Sequence, residues 1–164
     1  EHCRKTMVVD ADALFAVGHQ KINLRNCPAD VVLTPHVGEF AFLTGLTAND
    51  VEAGRIDEAI RYAKENHVVL VPKGAHTVIA VPDGRAWVNS TGNPGMAAGG
   101  MGDTLTGIIA AFIGQGLSAE EAAVAGVYLH GLAGDLLAEK MPVGYTAGDV
   151  ARMIPLARKK VIEG

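Results

Sequence analysis

The chain has 164 residues, with 14 lysines and arginines against 18 aspartates and glutamates, giving a formal charge of −4 at pH 7. That length holds one domain with a useful core, and the acidic balance excludes a general polyanion-binding surface, since nucleic-acid domains carry a basic excess. Hydrophobic residues make up 49% and charged residues 20%, a globular profile, yet 20 positions are glycine, roughly 12% against about 7% on average.

Met7-Val8-Val9 is a short strand-forming run that ends at Asp10-Ala11-Asp12, where a helix-forming stretch begins and continues through Val17. Val31-Val32-Leu33 repeats the design as a brief buried strand meeting Thr34-Pro35-His36, and a helix over residues 37–43 then stops at Gly45. Asn49 with Glu52 has capping-box spacing, ahead of an apolar stripe of Ile56, Ala59, Ile60 and Ala63. Residues 68–71 are apolar throughout and predict a strand buried on both faces. Residues 76–81 and 85–88 predict two strands joined by Asp83-Gly84, whose residues both tolerate positive φ. After a glycine-rich stretch over 92–102, residues 105–115 are apolar almost all round and predict a buried helix. Ser118 with Glu121 caps a long helix reaching about Glu139, with Gly126, Gly131 and Gly134 as its thin face. Thr146 with Asp149 opens the last helix, which Pro155 is expected to kink or split.

Alternating strands and helices predict an α/β domain: a doubly wound, mostly parallel sheet with helices on both faces and an antiparallel hairpin added late. Ligands of such sheets bind beyond the carboxyl ends of the strands, so Asp10, residues 34–39 and residues 72–73 are expected to line one crevice. No apolar run approaches the ~18 residues that span a bilayer, and no membrane partner is expected. Cys3 and Cys27 lack a CxxC partner or a nearby histidine pair and read as free thiols of a reducing, cytoplasmic compartment. The chain starts at Glu1 with no apolar leader, so it reads as processed or as a piece of something longer.

The strongest local signal for chemistry is Asn93-Pro94-Gly95-Met96-Ala97-Ala98-Gly99-Gly100-Met101-Gly102-Asp103. So few side chains let backbone N–H groups converge, and the following helix adds its positive end, which suits a phosphate chain. The stretch lacks the GK[ST] ending of a P-loop and the third glycine of a dinucleotide fingerprint, and a plain tight loop is the competing reading. Asp103, in the first turn, is either a cap or a base that accepts a proton from a hydroxyl attacking the terminal phosphorus. Lys73, beside Gly74, is either a phosphate ligand or a solvated hairpin lysine. His36 and Glu39 share a face at i and i+3, to hold a hydrated Mg²⁺ or a polar substrate, or simply to cap a helix. His130 reads as a packed core histidine.

Taken together, Val9-Asp10-Ala11-Asp12-Ala13-Leu14, Leu33-Thr34-Pro35-His36-Val37-Gly38-Glu39, Lys73-Gly74-Ala75-His76-Thr77 and the 93–103 loop closely resemble the ADP-dependent NAD(P)H-hydrate dehydratases of the ribokinase-like superfamily. Gly114-Gln115-Gly116-Leu117 and Leu129-His130-Gly131 continue the likeness over essentially the whole chain. The resemblance implies a single, partial ribokinase-like domain over residues 1–164, the C-terminal portion of an α/β/α fold lacking its N-terminal strands. It implies dehydration of (6S)-NADHX and NADPHX to NADH and NADPH: ADP phosphorylates the C6 hydroxyl, phosphate is then eliminated, and AMP is released. Asp103 would be the catalytic base and touch the substrate, and His36 would contact the same substrate. Lys73, Gly74, Ala75, His76 and Thr77, with Asn93, Met96, Gly99, Gly100 and Gly102, would hold the ADP. Glu39 occupies the place of an Asn-x-x-Glu magnesium motif in related kinases, but the first member here is His36, which leaves the Mg²⁺ ligand open. The family tendency is a homotetramer, and the missing N-terminal segment is expected to pair with this sheet. Two alternatives stay open: a small-molecule kinase of the hydroxymethylpyrimidine or hydroxyethylthiazole type, and a catalytically silent nucleotide-binding module.

Overall fold

Within residues 4–164, which the computed structural model describes, strands β1 (Met7–Val9), β2 (Val31–Leu33), β3 (Val69–Leu70), β4 (Val78–Ala80) and β5 (Ala86–Val88) form one sheet in that spatial order. The pairs β1–β2 and β2–β3 are parallel; β4 is antiparallel to β3 and to β5. Alternation sorts the apolar residues: Val31, Leu33 and Leu70 enter one core while Val32 and Val69 enter the other. Because both faces are buried, the strands read as unbroken apolar runs. The hairpin turn between β4 and β5 falls at Asp83-Gly84 as expected, with Gly84 at φ 97°.

One face carries α1 (Asp12–His19), α2 (Val37–Thr44), α3 (Ala48–Ala53) and α4 (Arg55–Asn66), packed through Leu14, Phe40, Val51 and Tyr62. The other carries α5 (Met101–Gly114), α6 (Ala119–Ala138) and α7 (Ala147–Glu163), through Leu105, Ile109, Val127 and Val150. Helices thus cover both faces, and the α/β/α layering is the expected one. The second face is reached only after the hairpin, since both parallel crossovers use the first.

Four local expectations change. The capping box in front of α3 is Thr47 with Asp50, not Asn49 with Glu52: the Thr47 hydroxyl accepts the Asp50 N–H, and the Asp50 carboxylate accepts the Thr47 N–H. Gly54 then separates α3 from α4, so the stripe from Ile56 belongs to a second helix. Pro155 does not split α7, because it and Ala151, whose carbonyl loses its donor, both face solvent. Finally, α5 begins at Met101 and is not buried all round: Gly107, Ala110, Ala111 and Gly114 are exposed among the described residues. Cys27 is a free, half-buried thiol, while Glu1 and Cys3 lie outside the described residues.

Small residues let α6 approach its neighbours closely, for a Cβ on Gly126 would stand 2.8 Å from Ile109 Cγ1. His130, on the same helix, is largely buried and its Nε2 has no hydrogen-bond partner among the described residues. Burial drives its pKa from 6.5 down to about 4, against a smaller upward pull from the Met101 backbone. Above pH 6.5 the imidazole is neutral in both states and adds no pH dependence. Between pH 6.5 and about 4 the unfolded chain takes up a proton that the folded chain refuses, so stability falls on acidification, by about 3 kcal/mol at most. Denaturant titrations across this window should therefore show a flatter stability profile for His130→Gln than for the wild type; parallel profiles would contradict the buried neutral imidazole.

Candidate active site at the strand ends

Beyond the carboxyl ends of the parallel strands, three segments are tied by one carboxylate. Asp10 follows β1, Thr34 follows β2 and Lys73 lies just past β3. Lys73 Nζ is 2.6 Å from Asp10 Oδ1, and the Thr106 hydroxyl of α5 donates to Asp10 Oδ2 at 2.8 Å. Burial pushes the Asp10 carboxyl up, but hydrogen bonds from Lys73 and Thr106, the Lys73 charge and the Ala11 N–H together hold it below its ordinary value. The fully buried Thr34 hydroxyl stands 3.4 Å from that of Thr106. Backbone completes the junction, with the Lys73 N–H donating to the Pro35 carbonyl at 2.7 Å.

From Lys73 the chain enters the Gly74-Ala75-His76-Thr77 turn. The Thr77 hydroxyl donates to the Gly74 carbonyl at 2.9 Å, and Arg55, paired with Glu52, donates to the Ala75 carbonyl. His76 sits at φ 54°, a conformation that non-glycine residues seldom adopt and that the surrounding bonds must hold.

The glycine-rich stretch meets this turn at α5. Gly100, at φ 84°, precedes the first helical residue, and the N–H groups of Gly99, Gly100, Gly102 and Asp103 find no acceptor among the described residues. Unpaired donors at a helix start, reinforced by the helix dipole, form an anion site. A Cβ on Gly102 would lie 3.2 Å from Lys73 Nζ, so glycine lets the helix start rest against that ammonium. The Asp103 carboxylate, on the same turn, is exposed and makes no hydrogen bond among the described residues.

Helix α6 holds the stretch from behind. Asp135 accepts hydrogen bonds from the Gly92 N–H at 2.8 Å and the Asn93 amide at 2.9 Å. Asn93 Oδ1 accepts from the Gly95 N–H and from the buried Tyr145 hydroxyl, at 3.0 and 2.6 Å. Met96 packs its sulfur into the gap left by Gly134, and a Cβ on Gly131 would come within 2.7 Å of the Thr91 backbone. The side chains of Asn93 and Met96 thus shape the loop from outside.

His36 is the N-cap of α2. Its Nδ1 accepts the N–H groups of Gly38 and Glu39, which places the proton of the neutral ring on Nε2, on an imidazole whose side chain is 57% exposed. Glu39 is buried, and its carboxylate accepts the His36 N–H at 2.7 Å to close the capping box. Glu39 therefore presents no open ligand, and no three His, Cys, Asp or Glu side chains converge on a metal position among the described residues. These residues do not fit a protein-built Mg²⁺ cage.

The strand ends thus collect Lys73 with Gly102, and through Pro35 the segment that carries His36. Asp10 was marked in the sequence by its strand-end position and its place in the Val9–Leu14 motif, but not as a site residue. Thr106, Arg55, Asp135 and Tyr145 carried no signal, being single polar residues without a motif. A large open groove lined by Trp87, Leu117, Val124 and Tyr128 lies between β5 and α6. Its lining is apolar with two carboxylates, Glu120 and Glu121, and the neighbouring Arg85 is already paired with Glu120 and Asp83.

The family model described as NAD(P)H-hydrate dehydratase matches residues 1–156. Over 160 residues the chain is 46% identical to the bifunctional NAD(P)H-hydrate repair enzyme Nnr of Thermofilum pendens, covering 97% of this chain and 30% of that one. Over 150 residues it is 45% identical to the ADP-dependent (S)-NAD(P)H-hydrate dehydratase of Xanthomonas campestris, covering 92% of this chain and 49% of that one. Among solved structures, the ADP/ATP-dependent NAD(P)H-hydrate dehydratase of Bacillus subtilis, co-crystallized with ATP/Mg²⁺, superposes with a TM-score of 0.84 at 35% identity. That match covers 94% of this chain and 55% of the other. The chain therefore spans half or less of the length of these two enzymes and about half of that structure.

Proposed function

This chain belongs to the NAD(P)H-hydrate dehydratase family, and on that premise we propose that it forms the ADP-binding portion of an enzyme that returns hydrated NADH and NADPH to the intact cofactors. The observation that carries the reading is the juxtaposition at α5: unpaired N–H groups of Gly99, Gly100, Gly102 and Asp103 beside the Lys73 ammonium, with the exposed Asp103 carboxylate on the same turn. The residue 74–77 turn would hold the adenylate side of ADP and the helix start its terminal phosphate. The oxygen of the C6 hydroxyl then attacks the terminal phosphorus. Its proton passes to Asp103, and the bond from phosphorus to the bridging oxygen breaks, with AMP leaving on that oxygen. In the second half, the C6–O bond breaks and its electron pair departs with phosphate. A proton passes from the neighbouring ring carbon to the departing phosphate, and the ring double bond closes. The exposed His36 imidazole, whose Nε2 stands 3.5 Å from Glu39 Oε1, is placed to meet a polar group of the hydrated ring. Magnesium, in this reading, arrives on the nucleotide phosphates, where it commonly keeps most of its waters. Cytoplasmic residence follows from the nicotinamide substrate; among the described residues no helix is long and apolar enough to cross a membrane.

Incubating the full-length protein with ADP and hydrated NADH tests the reading, because only dehydration restores the ultraviolet absorbance of the reduced nicotinamide. Phosphoryl transfer without that recovery would mark a kinase, and ADP binding without either a silent module. Asp103→Asn is expected to slow turnover at least about 100-fold while ADP still binds; unimpaired turnover would remove Asp103 as the base.

We further propose that β1 and α5 receive the part of the domain by which the relatives exceed this chain. Hydrogen bonds from Met7 to Asp30 and from Thr34 to Val9 turn those residues toward β2, so Val8 presents its N–H and carbonyl to the other side, open among the described residues. Helix α5 packs on β1 and leaves its small-residue face uncovered. Amide exchange at Val8 should slow markedly in the full-length protein relative to the 164-residue chain alone; equal rates would rule out pairing at this edge.

A further inference from the structure

Asp10 is a strand-end group to which neither nucleotide nor substrate has been assigned. We propose that Asp10 is a positioning residue for phosphoryl transfer, its largely enclosed carboxylate holding the Lys73 ammonium against Gly102 where the transferred phosphate would sit. The inference rests on the ADP-dependent reading above.

A lysine on a four-carbon stem ordinarily extends its head into water. Here the Lys73 side chain is only 20% exposed and its counter-charge 10% exposed. The two oxygens of Asp10 have separate tasks: Oδ1 takes Lys73 and Oδ2 takes the Thr106 hydroxyl of α5. One carboxylate thereby fixes the position of the ammonium relative to the helix that carries Gly102 and Asp103. The contact is tight, since a Cβ on Gly102 would be 3.2 Å from Lys73 Nζ and 3.8 Å from Asp10 Oδ2. An ammonium has three N–H groups, and with one on Asp10 two remain for phosphoryl oxygens. The backbone next to Asp10 also departs from the ordinary, because Ala11 sits at φ 50°, ψ −130°. A non-glycine residue persists in such a region only where its surroundings over-determine it, and these residues gather at functional sites. A plain stabilising role would leave turnover per folded molecule unchanged, and the kinetics separate it from positioning.

The roles separate kinetically. ADP affinity, resting on the backbone of residues 74–77 and the glycine loop, should change less than threefold in Asp10→Asn, measured by calorimetry on the full-length protein. Turnover should fall at least tenfold. Lys73→Met should be as slow as the Asp10→Asn, Lys73→Met double variant, because Asp10 acts through Lys73. Thr106→Val, which keeps the charge pair and removes the second bond, should lower kcat about threefold with unchanged ADP affinity, and serves if Asp10→Asn does not fold. Wild-type turnover in Asp10→Asn or Thr106→Val, additive effects in the double variant, or parallel losses of affinity and kcat would each overturn the positioning role. Wild-type protein that neither binds ADP nor turns over hydrate would overturn the functional reading as well, which distinguishes the two failures.

Discussion

The parallel register of β1, β2 and β3 is the constraint on which the site depends. Val9 pairs with Leu33 and Leu33 with Leu70, so the strands end at one level and the residues that follow emerge together. Asp10, Thr34 and Lys73 then meet without long loops, and backbone can bridge them, as from Lys73 to Pro35. A one-residue slip in any strand would exchange its two faces, moving Val31 and Leu33 out of one core and Val32 out of the other. Burial on both faces therefore fixes the positions of polar residues that contribute little to the core themselves.

The proposed ADP site also needs an open helix start. Donors are unpaired at α5 among the described residues, yet the loop in front of them has too few side chains to order itself. The chain meets this by ordering the loop from outside, with Asp135 and Tyr145 on Asn93, and Met96 against Gly134. The glycines accordingly have two distinct uses. Gly100 supplies a left-handed turn and Gly102 room for Lys73, whereas Gly131 and Gly134 thin a helix so that the loop can lie close behind the site. Strain at Ala11 and His76 falls next to the same junction, where hydrogen bonds from several elements hold the backbone.

Much of this was legible in the sequence, because it rests on local physics. Apolar runs ending in Asp10 and Thr34 marked the strand ends, Ser118 with Glu121 and Thr146 with Asp149 marked helix starts, and the glycines of α6 marked close packing. The region of Thr47 misled because two capping boxes overlap within a few residues, and the structure uses the one whose threonine takes the extended N-cap conformation. Pro155 leaves α7 unsplit because its effect depends on which side of the helix faces water. The ties from Asp10 to Thr106 and from Asp135 to Asn93 join residues 96 and 42 positions apart, which no local pattern encodes. Glu39 shows the reverse: a residue read as a weak metal ligand is a buried cap whose carboxylate is engaged by its own helix start.

The most direct measurement is backbone hydrogen exchange of the full-length protein with and without ADP. The account predicts slowed exchange confined to residues 74–77 and to the amides of Gly99, Gly100, Gly102 and Asp103. Unchanged exchange at those amides, with protection instead around Trp87 and Tyr128, would contradict it.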